Sequence, residues 1–254
     1  MVGAVQGAGV VVTGAGGGIG AALARRFAAE GGRVVVNDLD ADKAEAVADE
    51  IGGIAVPGDA SAIVAEARDA LGGAVDVYCA NAGVGSGGSE AAPEEVWQLA
   101  WDVNVMAHVR AAHALLPDWL ERGSGRFVST VSAAGLLTMI GAAPYSVTKH
   151  GAYAFAEWLS LTYRHRGVMV HAICPQGVRT DMLAATGSAG DLVLVPTAIE
   201  PAAVADALFE GIEEDRFLIL PHPEVAAYYE ARAAHPDRWL TSMNHIQQKW
   251  EAAP

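Results

Sequence analysis

Short β-branched runs alternate with alanine-rich stretches of helical period from one end of the chain to the other. Residues 10–12, 33–37, 54–56, 75–79, 126–131, 168–173 and 217–220 predict seven strands. The second and sixth contain near-continuous apolar runs, the pattern of strands covered on both faces. Between the strands, residues 19–30, 41–51, 61–72, 94–121, 145–165 and 201–214 carry helical spacing. Such alternation predicts a parallel sheet with helices on both faces. Right-handed crossovers then make it a doubly wound α/β fold. No repeat, linker or low-complexity segment interrupts the pattern.

The helix after the first strand opens on Thr13-Gly14-Ala15-Gly16-Gly17-Gly18-Ile19-Gly20. Glycines let the turn tighten and let backbone N–H groups approach a pyrophosphate at a helix N-terminus. The spacing is Gly-x-x-x-Gly-x-Gly, not the commoner Gly-x-Gly-x-x-Gly. Asp38 ends the second strand, 24 residues after Gly14. A carboxylate there can accept both hydroxyls of an adenosine ribose. It would also repel a 2′-phosphate, because unit charges about 4 Å apart at an effective dielectric near 20 interact by about 4 kcal/mol. No arginine lies inside the glycine loop or directly after Asp38. NAD(H) is therefore expected in preference to NADP(H), and Asp40 is available to cap the next helix.

A second chemical signal is Tyr145-Ser146-Val147-Thr148-Lys149, with Ser132 thirteen residues before the tyrosine. Side chains four apart on a helix share one face. A free tyrosine, with a pKa of about 10, is a poor base near neutrality. An ammonium beside it favours phenolate and gives a proton-transfer group that works at about pH 7–9. A serine hydroxyl can hold a substrate oxygen while its charge changes. These are the parts needed to oxidise an alcohol or reduce a carbonyl.

With Tyr145-x-x-x-Lys149 behind this glycine loop, the chain resembles the short-chain dehydrogenase/reductase family over residues 8 to about 220. The motifs are Thr13–Gly20, Asp59, Asn81-Ala82-Gly83, Asn104, Ser132, Tyr145 with Lys149, and Pro175 to Thr180. The resemblance implies a seven-stranded Rossmann-like sheet and hydride transfer between a nicotinamide and an alcohol or carbonyl carbon. It implies Tyr145 as general acid/base and Ser132 as donor to the substrate oxygen. Lys149 would lower the tyrosine pKa and bind the nicotinamide ribose, and Asn104 would hold a water in the proton relay. Gly14, Gly17, Gly18, Ile19 and Gly20 would cradle the pyrophosphate. Asp38, Leu39, Asp59, Ala60 and the Asn81-Ala82-Gly83 turn would flank the adenosine. Pro175, Val178 and Thr180 would meet the nicotinamide carboxamide. Residues 1–220 are then one dinucleotide-binding and catalytic domain, and residues 221–254 an extension of it.

Three positions depart from the family pattern. Pro175-Gln176-Gly177 stands where Pro-Gly is usual, which puts the Gln176 side chain at the pocket wall. Asp59 and Asn81 are only 22 residues apart, so the helix between them is expected to be short. Ala60 replaces a common valine.

Composition narrows the partners. The net charge of −14 argues against nucleic acid and anionic membrane surfaces. No apolar run approaches the ~20 residues that span a bilayer. No signal peptide is visible, and the two cysteines, Cys79 and Cys174, are expected as buried free thiols of a cytoplasmic protein. No His/Cys cluster has zinc spacing, so no metal is expected. Large apolar residues on the helices 94–121 and 145–165 predict a homo-oligomer, a tetramer or a dimer.

The substrate side reads as apolar. Leu136, Leu137, Met139 and Ile140 follow Ser132, and residues 181–195 hold two acids and no base. Without an arginine or lysine clamp, a neutral, largely apolar alcohol or ketone is expected as the small-molecule substrate, as for an alcohol or hydroxysteroid dehydrogenase. The tail from Pro221 carries Tyr228, Tyr229, Trp239 and Trp250 on two expected short helices, either as a cover for the pocket or as packing on a neighbouring subunit. Two other readings remain: an NADPH-dependent 3-oxoacyl reductase, and a catalytically silent NAD-binding sensor or scaffold.

Overall fold

Val10, Val11 and Val12 are all completely buried, because their strand lies mid-sheet with helices packed against both faces. The computed structural model describes residues 5–185 and 194–252. Seven strands form one sheet: β1 (Gly9–Thr13), β2 (Arg33–Asn37), β3 (Ile54–Ala55), β4 (Val77–Ala80), β5 (Gly125–Thr130), β6 (Val168–Ile173) and β7 (Leu218–Ile219). Their order is β3-β2-β1-β4-β5-β6-β7, and every adjacent pair is parallel. The doubly wound sheet expected from the alternating pattern is the one observed.

Alternate side chains of each strand feed two cores. On one face, Val10, Val12 and Val36 meet Leu23 and Phe27 of α1 (Gly18–Ala29), Val47 of α2 (Ala41–Ile51) and Leu208 of the helix Pro201–Glu213. On the other face, Val11, Val35 and Phe127 meet Leu71 of α3 (Val64–Leu71), Leu115 and Trp119 of α5 (Ala107–Arg122), and Leu159 of α7 (Ala143–Tyr163). Full burial of such a side chain contributes roughly 1.5–3 kcal/mol, so the sheet centre is the stable platform for the strand ends.

Several boundaries differ from the sequence pattern. The edge strands β3 and β7 are two residues each, since an edge strand has one ladder partner to define it. The short connection after Asp59 leaves α3 only eight residues. The helix expected over residues 94–121 is broken into α4 (Glu94–Trp101), a π-helical turn (Asp102–Met106) and α5. A single turn, α6 (Ala134–Leu137), follows β5, and the chain leaves it through Thr138 at φ +68°. That value is strained for a β-branched residue. Beyond β7 the tail forms the two expected helices, Glu224–Ala234 and Pro236–Glu251. Among the described residues no helix is long and apolar enough to cross a membrane.

Candidate active site

The order reverses between β1 and β4, where the crossovers leave in opposite directions and open a crevice at the strands' carboxyl ends. The buried Thr13 hydroxyl donates to the Cys79 carbonyl at 3.2 Å and accepts the N–H groups of Asn81 and Ala82, both at 3.0 Å. The Asn81 amide returns to the Thr13 carbonyl at 2.9 Å and the Gly14 carbonyl at 3.2 Å. These bonds lock the glycine loop to the turn Asn81-Ala82-Gly83.

Three glycines in the loop are sterically required, Gly14 among them, with φ +60° and a Cβ position 2.8 Å from Ala82 Cα. A Cβ at Gly20 would sit 2.1 Å from the Gly14 carbonyl oxygen. Gly18 has φ +52°, and a Cβ there would lie 2.9 Å from the Thr180 methyl. Gly17 faces open space, with nothing within 4 Å of a Cβ position. Ile19 is half-buried against the first core. A tight loop with one open backbone position ahead of α1 fits a dinucleotide pyrophosphate, which Gly17 and Gly18 would hold. Asp38 bonds the Gly16 N–H through Oδ2 at 2.9 Å and the Asp40 N–H through Oδ1 at 3.1 Å. Its carboxylate is therefore fixed at the loop, where a ribose would lie. Leu39, 80% exposed, extends beyond it. Asp59 is exposed and turns Oδ1 onto the Ser61 N–H at 2.8 Å, while the Ala60 carbonyl accepts from Tyr78. Pro175 follows β6, Val178 bridges to Ile199, and Thr180 caps α8 (Asp181–Ala184). Residues 186–193 of the loop expected to line the pocket lie outside the described residues.

Ser132, Tyr145, Lys149 and Asn104 come together across the crevice. α7 carries Tyr145 and Lys149 one turn apart, and Pro144 starts that helix without losing a bond. The Lys149 ammonium lies 5.6 Å from the centre of the Tyr145 ring and donates to the Thr130 carbonyl at 2.9 Å. Lys149 is 3% exposed, and burial pulls its pKa down to about 8. The Tyr145 ring is half-buried, but its hydroxyl is enclosed by protein. Burial raises the phenol pKa, and the hydrogen bond with Ser132 pulls it the other way. Desolvation is the largest of these influences, and Ser132, not Lys149, supplies the one that opposes it. The Ser132 hydroxyl is set by the Ala134 N–H at 3.1 Å.

Asn104 explains the π-helical turn. Its Oδ1 accepts the Val84 N–H at 2.9 Å, and its amide donates to the Val84 carbonyl and to Thr148 Oγ1, each at 3.1 Å. Widening the helix aims this side chain at the Gly83–Val84 backbone. Both amide protons are thereby engaged by the protein, and the side chain braces the Gly83–Val84 backbone.

Sequence reasoning missed four contributors. Gly16 is the partner of Asp38. His222 is buried and accepts the Gln176 N–H at 3.1 Å while its Nε2 side meets the Gly177 carbonyl at 3.1 Å. It therefore braces the altered Pro175-Gln176-Gly177 turn. His108 lies beside Ser129 at 3.1 Å, and burial pushes its pKa down to about 3, which keeps it neutral near Lys149. Arg232 donates to the Leu136 carbonyl at 2.6 Å. A Pro-His-Pro segment was the only available hint of His222; the others depend on contacts far apart in sequence. Cys79 and Cys174 are buried free thiols, and among the described residues no group of three His, Cys, Asp or Glu could hold a metal ion.

Among the described residues the Lys149 ammonium has no carboxylate partner. Its fall from the ordinary 10.5 to about 8 corresponds to roughly 3 kcal/mol of unfavourable burial. That cost is complete below pH 8 and is relieved between about pH 8 and 10.5, where the unfolded chain binds the proton and the folded one does not. Lys149→Met should therefore stabilise the protein by about 1–3 kcal/mol at pH 7, with the gain fading toward pH 10.5. Urea unfolding across this range checks the sign; a destabilised variant at pH 7 would contradict it.

The family model of short chain dehydrogenases matches residues 8–190. The chain is 34% identical over 250 residues to the 1-deoxy-11-beta-hydroxypentalenate dehydrogenase of Streptomyces exfoliatus, covering 90% of this chain and 87% of that protein. A short chain dehydrogenase/reductase from Burkholderia phymatum, solved in complex with NAD, superposes with a TM-score of 0.84 at 29% identity, over 92% of this chain and 95% of that one. A short-chain dehydrogenase from Sphingobium yanoikuyae in complex with NADPH superposes with a TM-score of 0.77 at 28% identity, over 91% and 94%. These matches agree with the fold and with the meeting of strand-end motifs described above: the chain belongs to the short-chain dehydrogenase family and is an oxidoreductase.

Proposed function

We propose that this protein is an NAD(H)-dependent dehydrogenase of largely apolar secondary alcohols, or a reductase of the matching ketones. The observation that carries the reading is the convergence of Ser132, Tyr145 and Lys149 at one crevice. A bound nicotinamide would supply the hydride acceptor or donor. The alcohol oxygen would lie between Ser132 and the Tyr145 hydroxyl. In oxidation Tyr145 removes the hydroxyl proton as the carbon loses hydride; in reduction it returns that proton to the carbonyl oxygen. Ser132 holds the same oxygen in both directions. Lys149 keeps a positive charge near the phenol and would hold the nicotinamide ribose. Asn104 is a positioning residue that fixes the Gly83–Val84 backbone beside them. Tyr145→Phe should lower turnover by ~10²–10⁴ with NADH binding largely retained. NADH absorbance assays over a panel of secondary alcohols, diketones and steroids, with a fluorescence titration of NADH, read both quantities; turnover equal to wild type would end this mechanism.

NAD(H) is favoured by the Asp38 carboxylate fixed on the glycine loop. The relative from Streptomyces exfoliatus acts on a hydroxylated pentalenate, which is compatible with a hydrocarbon-rich substrate. One observation favours the second reading, an NADPH-dependent 3-oxoacyl reductase. Lys43 flanks Gly16, with its Cβ 2.7 Å from a Cβ position there, and its exposed side chain is long enough to reach a 2′-phosphate on the ribose. Asp38→Ala with Leu39→Arg should move the cofactor preference at least tenfold toward NADP(H). A wild type that already prefers NADPH would decide for the second reading.

A second copy of the chain would cover the outer face of α4 and α7. Trp158 and Leu161 are more than half exposed, and Trp101 packs over Gly151 with its outer edge in solvent. This stripe supports a two-fold contact along these helices, in a dimer or tetramer. Light scattering during size-exclusion chromatography should give a multiple of the chain mass; a stable monomer at micromolar concentration would refute it.

A further inference from the structure

The tail is anchored at both ends of the segment between Ser132 and Tyr145. The helix Glu224–Ala234 is seated by the fully buried Val225. Its Arg232 reaches the Leu136 carbonyl, at the start of that segment. The helix Pro236–Glu251 returns across the same segment. Trp239, Met243, Ile246 and Trp250 follow i, i+4, i+7, i+11 spacing and so share one face. All four are half-buried, and the helix has no fully buried residue. Trp239 packs against the core with its ring 6.3 Å from Tyr228. At the far end the Trp250 ring lies over Gly141, 3.1 Å from where a Cβ would stand.

Gly141 is tied to the loops around the site through backbone hydrogen bonds. Its carbonyl accepts the Gly88 N–H at 2.9 Å, and the Gly88 carbonyl accepts the Ala143 N–H at 2.8 Å. This bridge joins two loops that both start in the catalytic group: one leaves Gly83 beside Lys149 and Asn104, the other leaves Ser132 and returns as Tyr145. Tyr145 is four residues beyond Gly141. Met182 covers Gly85 on the loop that leaves Gly83, its Cγ 3.2 Å from the Cβ position. Two large apolar side chains thus stand over glycines of the two bridged loops.

We propose that the helix Pro236–Glu251 roofs the substrate pocket of its own chain, and that Trp250 sets how bulky an apolar alcohol or ketone the pocket admits. This rests on the dehydrogenase reading above and extends it to a specificity-determining residue. The half-buried stripe gives the chemistry of the substrate. A rigid hydrocarbon skeleton beneath the indole would extend this half-buried stripe, whose own four residues offer no base to a charged or phosphorylated one.

The test compares Trp250→Ala and Trp250→Phe with wild type, on cyclohexanol and on the bicyclic 1-decalol, with NADH affinity measured in parallel. Trp250→Ala should shift the kcat/KM ratio of the two alcohols at least tenfold toward decalol, and Trp250→Phe should restore much of the wild-type ratio. NADH affinity should stay within twofold. Amide exchange at Gly88 and Ala143 supplies a readout that needs no turnover, and it should quicken in Trp250→Ala. A wild type inactive on every alcohol would defeat the dehydrogenase reading, and the exchange data would then judge the roof alone. An unchanged ratio with unchanged exchange overturns the proposal. Equal losses for both alcohols and for NADH overturn it as general destabilisation. A variant truncated after His235 that only dissociates the oligomer, with the ratio preserved, assigns the tail to assembly and overturns it as well.

Discussion

The site depends on how the ends of β1 and β4 are joined. Parallel strands that send their crossovers in opposite directions leave backbone groups facing a gap, and those groups need partners. Thr13 and Asn81 supply them across the crevice with one hydroxyl and one amide. The glycine loop and the turn through Gly83 are thereby fixed to one another. Gly83 in turn abuts Asn104 and Lys149, at 3.2 and 3.4 Å from its Cβ position. Nucleotide cradle and proton-transfer group therefore share a single rigid junction.

Around that junction the protein holds groups in arrangements that do not favour stability. An ammonium is enclosed beside a carbonyl and a tyrosine ring, with no carboxylate partner among the described residues. A helix gives up regular bonding through a π-helical turn so that Asn104 reaches the backbone of a distant loop. The neighbours supply no compensating negative charge: His108 is neutral, and burial pushes the Cys174 thiol up to about 12. Strain and unpaired charge gathered at one place, on a platform of fully buried valines and leucines, is the pattern of a site built for chemistry.

The tail adds a layer that the sheet does not require. Arg232 and Trp250 grip the two ends of the segment between Ser132 and Tyr145. His222 stands behind the Pro175-Gln176-Gly177 turn and ties the start of the tail to the loop after β6. Loops that surround the catalytic group are thus held by residues beyond β7. His222 accepts the Gln176 N–H, while the side-chain oxygen of Gln176 is buried without a partner among the described residues.

The alternating pattern of valine runs and alanine-rich helices determined the sheet, since burial on both faces leaves no other way to satisfy such strands. Local spacing likewise placed Tyr145 and Lys149 on one face of a helix, and put the glycines between a strand and a helix. The tertiary structure alone decided the state of those groups. Desolvation comes from residues distant in sequence, so the spacing of Tyr145 and Lys149 could not reveal that burial raises the phenol and lowers the ammonium. Nor could a helical period over residues 94–121 reveal the π-helical turn, because its cause is a bond between Asn104 and a loop 20 residues away. The tail's aromatics were legible as apolar, but which surface they cover was fixed only by packing. Gly141 leaves room for the Trp250 ring, and that fit exists only when the two ends of the chain's second half are folded together.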